Sequence, residues 1–339
     1  MPKVVVVIPH WNGRKYLGKC LDSLLIQRLK SEILVVDNGS TDGSLKILDT
    51  KYPNVIVIPQ TKNLGFAGGV NVGIKQAMFD GAKYIALLNN DAVADSHWLE
   101  CLVNELEVHP KVGITTCKLL TADGSKLDST GDMYTTWGLP YPRGRDELVS
   151  NKYDSLTTIF AASGGASLYR VSMLKEIGLF DEDFFAYYED VDLSFRAQLA
   201  GWKISYTPTA LAYHQIGATS SKLKGFTIYH ARKNLPWLLW KNVPTSLLIK
   251  VLPRFLFVYV SFMVSAIIHK QPGPAIRGFC RMLILLPKKS WQRRRIQRAR
   301  KVKDSYIWSM MVHNLPPNAH KLRSIFHPVK AVRATREGR

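Results

Sequence analysis

Four times in the first 91 residues a short, mainly apolar run ends abruptly in a cluster of polar residues. The runs are Val4 to Pro9, Glu32 to Val36, Val55 to Ile58 and Tyr84 to Leu88, too short for helices and apolar on both faces. Helical patterns separate them, running to about Gln27, from Asp42 to Thr50 and from Ala67 to Asp80. Strands alternating with helices at this spacing predict βαβ units, hence an α/β fold with a mainly parallel central sheet flanked by helices. In such sheets ligands bind in the crevice beyond the carboxyl ends of the strands. The polar ends Asp37-Asn38-Gly39-Ser40 and Asn89-Asn90-Asp91 therefore face one crevice.

Both of these ends carry a carboxylate. Asp91 at that place can hold a divalent cation through hard oxygen ligands. Equally, Asn89, Asn90 and Asp91 can turn the chain and cap the helix expected from Asp95 to Val108. The loop TKNLGFAGGVNVG is open in the same way, because its glycines at a helix entrance suit an anion on free backbone amides or tight helix packing. It is neither a dinucleotide fingerprint, since HWNGR and not GxGxxG follows the first strand, nor a phosphate-binding GxxxxGK[ST] loop.

After a strand at Gly113 to Cys117, residues Leu120 to Ser155 read as a polar loop with short strands. Gly164-Gly165 lies in the segment Ala161 to Tyr169 and leads to GLFDEDFFAYYEDVDLSFRAQLAGWKI, where acids crowd among aromatic residues. From Val191 the apolar positions fall at helical spacing, which puts Glu189 and Asp190 at a helix start. The dipole and backbone amides there favour an ionised carboxylate that can act as a base. Asp192 and Arg196, four apart, read as an ion pair on the same helix.

With these residues in view, the chain resembles the family-2 glycosyltransferases of the GT-A fold, most closely a bacterial rhamnosyltransferase-like branch. The likeness spans about Lys3 to Ser221 and rests on VVIPHWNG, VVDNGSTDGS, NLGFAGGVNVGI with LLNND, and FFAYYEDVDLSFRAQLAGW, in that order. The resemblance implies that Pro9, Asn12 and Asp37 line the nucleotide pocket, with Asn63, Gly65, Asn90 and Asp91 bordering the donor. It makes Asp91 the last position of a DxD-type motif that binds Mg²⁺ or Mn²⁺, although Asn89 stands where many relatives have the first Asp. His214 matches a histidine that reaches the metal or diphosphate, Asp190 matches the catalytic base, and Gly164, Gly165, Glu189 and Arg196 support the acceptor side. The implied reaction is an inverting transfer of a sugar, rhamnose being the branch's common theme, from a nucleoside-diphosphate donor to a glycan or lipid-linked acceptor in cell-envelope polysaccharide synthesis.

The implied catalytic domain covers residues 1–225, with nucleotide-sugar binding in 1–118 and the acceptor and catalytic part in 119–225. Residues 226–339 change character to aromatic, apolar and basic. Of a net charge of +20, most lies from Lys270 to Arg339, where 18 Lys and Arg face only Asp304 and Glu337. Phe255 to Ile268 is apolar and short of the roughly 20 residues that a span needs, and extending it back to Leu247 takes in Lys250, Pro253 and Arg254. An in-plane or re-entrant element is expected, with a second stretch, Arg277 to Leu286, ended by Pro287. The following KKSWQRRRIQRARKVK suits an anionic bilayer surface, with Trp237, Trp240, Trp291 and Trp308 at headgroup depth. VVVVI is too short for a signal-peptide core, and Cys20, Cys101, Cys117 and Cys280 lack metal spacing and read as buried free thiols. These features place the chain at the cytoplasmic face of the membrane. A nucleic-acid-binding protein using the basic tail, and a metal-dependent nucleotidyltransferase, are the other readings, the first opposed by carboxylates that would repel a polyanion.

Overall fold

The computed structural model describes residues 3–215 and 223–317. The end of AYHQIGATSS and the basic run after residue 317 lie outside the described residues.

The chain opens with β1 (Val4–His10), α1 (Arg14–Leu25), β2 (Glu32–Asp37), α2 (Ser44–Lys51), β3 (Ile56–Pro59), α3 (Gly65–Phe79) and β4 (Tyr84–Leu88). Strands β1 to β4 are parallel and ordered β3-β2-β1-β4. Alternation decides how they pack. Val4, Val6 and Ile8 with Tyr84, Ala86 and Leu88 face α1, whereas Val5 and Val7 with Ile85 and Leu87 face α3. Both faces are dry, so these strands read as continuous apolar runs.

Beyond β4 the sheet is mixed. The chain continues through β5 (Ala92–Ala94), α4 (Trp98–Val108), β6 (Val112–Thr121), β7 (Leu127–Ser129), β8 (Asp132–Tyr134), β9 (Pro140–Pro142) and β10 (Ala166–Arg170). Strand β10 pairs antiparallel with β4 and β6, because the loop before it lies over the carboxyl end of β4 and the chain enters from that side. Next come α5 (Val171–Ile177), α6 (Glu189–Leu199) and β11 (Lys203–His214), which runs parallel to β6 and antiparallel to β5.

Helices α7 (Phe226–Asn242), α8 (Thr245–Ile268), α9 (Pro272–Arg298) and α10 (Asp304–Met310) complete the described chain. They share one apolar cluster with the α/β body. Trp237, Val251 and Val258 are buried with Tyr134, Phe160 and Phe195, at roughly 1.5–3 kcal/mol for each such side chain. Helix α9 continues through Pro287. Flanking contacts hold that helix in place: Trp237 Nε1 donates to the Met282 carbonyl, and Arg293 to the Trp240 and Val243 carbonyls.

Three expectations about this region change. Lys289 and Arg293, read as part of a surface cluster, are buried. Trp237 is buried and Trp240 and Trp308 are half-buried, while Trp291 is exposed. Cys280 is exposed and Cys101 half-buried, while Cys20 and Cys117 are buried free thiols.

Candidate active site

A cavity of about 770 Å³ opens at the carboxyl ends of β1 and β4. Of the residues expected at the site, Pro9, Asn63, Gly65, Asn90, Asp91, Gly164, Gly165, Glu189, Asp190 and His214 line it. Asn12, Asp37 and Arg196 do not border it. Asn12 and Asp37 brace the rim instead, since the Asn12 amide donates to Ser40 Oγ at 2.9 Å and the Asp37 carboxylate accepts the Ser40 amide at 3.1 Å. Arg196 is structural, pairing with Asp192 at 3.0 Å and donating to the Ile177 and Leu179 carbonyls.

The glycine loop is explained by packing. A β-carbon at Gly65, whose φ is +73°, would lie 2.4 Å from the Phe185 carbonyl, and one at Gly73 would meet Val7 at 2.4 Å. Glycine is therefore required for close approach of the loop to its neighbours.

After β4 the polar residues divide their tasks. The Asn90 side chain meets His10 Nδ1 at 2.8 Å, and the Asn89 amide donates to the Gly165 carbonyl at 2.9 Å. Helix α4 begins at Trp98 without a side-chain cap, so capping is not what Asp91 does. Its carboxylate lies 3.2 Å from His214 Nε2, while His214 Nδ1 meets Asp128 Oδ2 at 2.7 Å. Burial opposes charge on His214, but the hydrogen bonds to Asp128 and Asp91 outweigh it and push its pKa up to about 9.

With the Nε2 proton of His214 displaced, this set fits a divalent cation. A histidine that ligates a metal commonly donates its second ring N–H to a carboxylate, and Asp128 occupies that place. Among the described residues no group of three or more His, Cys, Asp or Glu is gathered to hold a metal. Asp91 and His214 would thus share a cation with donor phosphates and water, as Mg²⁺-type sites do.

Asp190 sits in the first turn of α6 and faces the same cavity. One carboxylate oxygen accepts the Gly164 amide at 2.9 Å and the other its neighbour Val191's at 2.8 Å. Burial raises its pKa further than these amides lower it. Glu189 beside it is buried, its Oε2 has no partner, and burial with the Asp190 charge raises its pKa well above the usual range.

A model of the family described as "Glycosyl transferase family 2" matches residues 5–178. The chain belongs to glycosyl transferase family 2. It is a glycosyltransferase with the GT-A fold, as the four motifs implied.

Among relatives, this family-2 chain is 31% identical over 232 residues to an N-acetylglucosaminyl-diphospho-decaprenol L-rhamnosyltransferase of Mycobacterium tuberculosis, covering 62% of this chain and 75% of that one. Two solved structures share the fold. S. aureus TarS 1-349 in complex with UDP-GlcNAc aligns with a TM-score of 0.55 at 20% identity, over 91% of this chain and 92% of that one. The mannosyltransferase PcManGT of Pyrobaculum calidifontis, in complex with GDP-Man and Mn²⁺, aligns with a TM-score of 0.53 at 15% identity, over 90% and 88%. The nucleic-acid and nucleotidyltransferase readings find no support in these likenesses.

Sequence reasoning missed two acids of this glycosyltransferase, Asp128 and Asp132, both in the polar loop that it left without detail. Each lines the cavity. Asp128 is held by Arg145 at 2.5 Å, and burial together with the Asp190 charge pushes Asp132 up to about 7. Polar residues bounded by glycine, as in DSTGD, were the available signal.

Proposed function

We propose that this glycosyltransferase moves a sugar, rhamnose being the leading candidate, from a nucleoside-diphosphate donor to a saccharide acceptor, with inversion of configuration. The observation that carries this reading is that Asp91 and Asp190 open into one cavity and are linked through Gly164-Gly165, where the Gly164 amide holds Asp190 and the Gly165 carbonyl holds the Asn89 turn.

An acceptor hydroxyl is a poor nucleophile near neutral pH. Asp190 removes its proton as the oxygen attacks the anomeric carbon, and the nucleoside diphosphate leaves from the opposite face. A raised pKa suits this task, since a base of ordinary carboxylate strength would hold the proton weakly. No enzyme carboxylate needs to act as a nucleophile. Asp91 and His214 would hold Mg²⁺ or Mn²⁺, whose charge offsets that developing on the leaving diphosphate. Pro9, Asn63, Gly65 and Asn90 border the donor, Asn12 and Asp37 shape the loop on its nucleoside side, and Glu189 and Asp132 belong to the acceptor side.

The relative from M. tuberculosis, by its name a rhamnosyltransferase acting on N-acetylglucosaminyl-diphospho-decaprenol, supports a lipid-linked saccharide acceptor. Helix α8 is long and apolar enough to cross a membrane by length and composition alone. One of its faces packs on the catalytic body, with Arg254 donating to Thr136 Oγ1 at 3.0 Å. That favours a helix lying along the membrane surface over one surrounded by lipid.

The test is Asp190→Asn, assayed beside a thermal-shift panel of nucleoside diphosphates and their sugars with and without Mn²⁺. Transfer should be abolished while the selective nucleotide shift persists. Wild-type turnover in the variant would end the assignment.

A further inference from the structure

The segment that delivers Asp190 is strained. Phe185, Tyr187 and Tyr188, just ahead of Glu189-Asp190, have φ of 66°, 71° and 71°, a region that residues with a β-carbon occupy when their surroundings hold them there. All three residues wall the cavity. From the α/β body, the Ala67 amide donates to the Phe185 carbonyl at 3.2 Å. Within that body the Tyr188 carbonyl also accepts the Asp192 amide at 2.9 Å, whereas the Phe184, Ala186 and Tyr187 carbonyls are reached from α7.

Asn234 of α7 is fully buried beneath the loop. Its Nδ2 donates to the carbonyls of Phe184 at 3.0 Å, Ala186 at 2.8 Å and Tyr187 at 2.9 Å. Two hydrogens thus serve three acceptors. The amide cannot be turned over, because its oxygen would then face three carbonyl oxygens. The side-chain oxygen itself has no partner among the described residues, so the side chain's hydrogen bonding serves the loop alone. Lys233 adds bonds from Nζ to the carbonyls of Asp183 at 2.7 Å and Phe184 at 3.3 Å.

We infer that Asn234 is a positioning residue for sugar transfer: it pins the strained 184–187 backbone so that Asp190 and the aromatic wall meet the acceptor in a fixed geometry. The inference rests on the proposed role of Asp190 as base and goes beyond it, since it makes α7 part of the active site. Without the amide, the Ala186 and Tyr187 carbonyls lose their tether, and the left-handed residues beside them relax. A displacement of about 1 Å at a reacting group costs on the order of 100-fold in rate.

The experiment uses the full chain with Asn234→Leu, nearly the same shape without donors, alongside D190N. Turnover is read as nucleoside-diphosphate release from whichever donor gives the selective thermal shift, and amide hydrogen exchange is followed over 183–191. The expected result is kcat lower by on the order of 100-fold with donor KM and nucleotide binding unchanged, and faster exchange confined to the loop. Wild-type kcat in N234L, or a loss of nucleotide binding in step with kcat, would overturn the inference. If D190N proves fully active, the base assignment fails by itself, and N234L is judged by exchange: faster at 184–187 supports the pin, unchanged refutes it. Should N234L not fold, Asn234→Ser is scored by the same criteria.

Discussion

Gly164 and Asp190 meet so closely that a β-carbon at residue 164 would lie 3.3 Å from Cβ of Asp190 and 3.1 Å from the ring of Phe66. The same glycine gives Asp190 its amide hydrogen bond. Gly164→Ala should therefore fold and bind nucleotide but push Asp190 or Phe66 aside. A loss in kcat of about 10- to 100-fold at unchanged nucleotide affinity is expected, measured by steady-state kinetics and thermal shift. Unaltered kcat would mean that this contact does not set the position of the base.

The pH dependence of transfer follows from the acids around the base. Asp190 faces Glu189 on its own helix, Asp132 from β8, and the Tyr169 and Tyr188 hydroxyls. A base with a raised pKa is protonated, and inactive, below that pKa, so kcat should fall on the acid side with a midpoint above the usual value of about 3.9. Asp132→Asn removes the negative charge that Asp132 carries above about pH 7 and should leave the acid limb in place. It should also stabilise the fold near pH 8 and not near pH 4. Asp132 has a folded pKa of about 7, raised above its unfolded value, so the stability it contributes is present at low pH and lost as pH rises through about 7. Melting curves at the two pH values, with a kcat profile, check both outcomes.

Lys289 joins the C-terminal helices to the loop before Asp190. Fully buried, it pairs with Asp181 and Asp183, both at 2.7 Å, while Lys241 reaches Asp181 at 2.5 Å and Asp192 at 2.9 Å. Lys289→Met takes one lysine from each of two carboxylates, which keep Lys241 and Lys288, so the cost should stay below the roughly 3–5 kcal/mol of a fully broken buried pair. Burial opposes ionisation of Asp181, but Lys241 and Lys289 hold its carboxyl well below the usual range. Its contribution is therefore present above about pH 4 and lost as pH falls below that. Urea unfolding of K289M should show the full deficit at pH 7 and a smaller one at pH 3.

The parallel half of the sheet and the places of Asp91 and Asp190 were legible because they depend on local pattern: apolar strands, their polar ends and an acid at a helix start. Asp128 and Asp132 were not, since their positions depend on a loop that returns over the sheet, with Asp128 fixed by Arg145 and His214. The inward turn of Lys289 and Arg293 was hidden for a related reason. A run of basic residues looks solvated until the acids opposite it, more than 100 residues earlier for Lys289, are known.

The outward face of α8 yields the last prediction. Ile249, Leu256, Val260, Val264 and Ile267 are exposed at 75%, 50%, 58%, 48% and 62%, and Leu283, Ile284 and Trp291 of α9 are exposed as well. A row of large apolar side chains open to water, on a chain with a net charge of +20, suits an anionic bilayer, where burial of such side chains and attraction to headgroups act together. Leu256→Lys with Val260→Lys places two hydrated charges in the middle of that face without touching the cavity. The double variant should lose most of its sedimentation with vesicles containing anionic lipid at low salt, yet keep wild-type kcat on a water-soluble acceptor. Full co-sedimentation would show that this face does not meet the membrane. Loss of kcat on the soluble acceptor would show instead that the face supports the catalytic body.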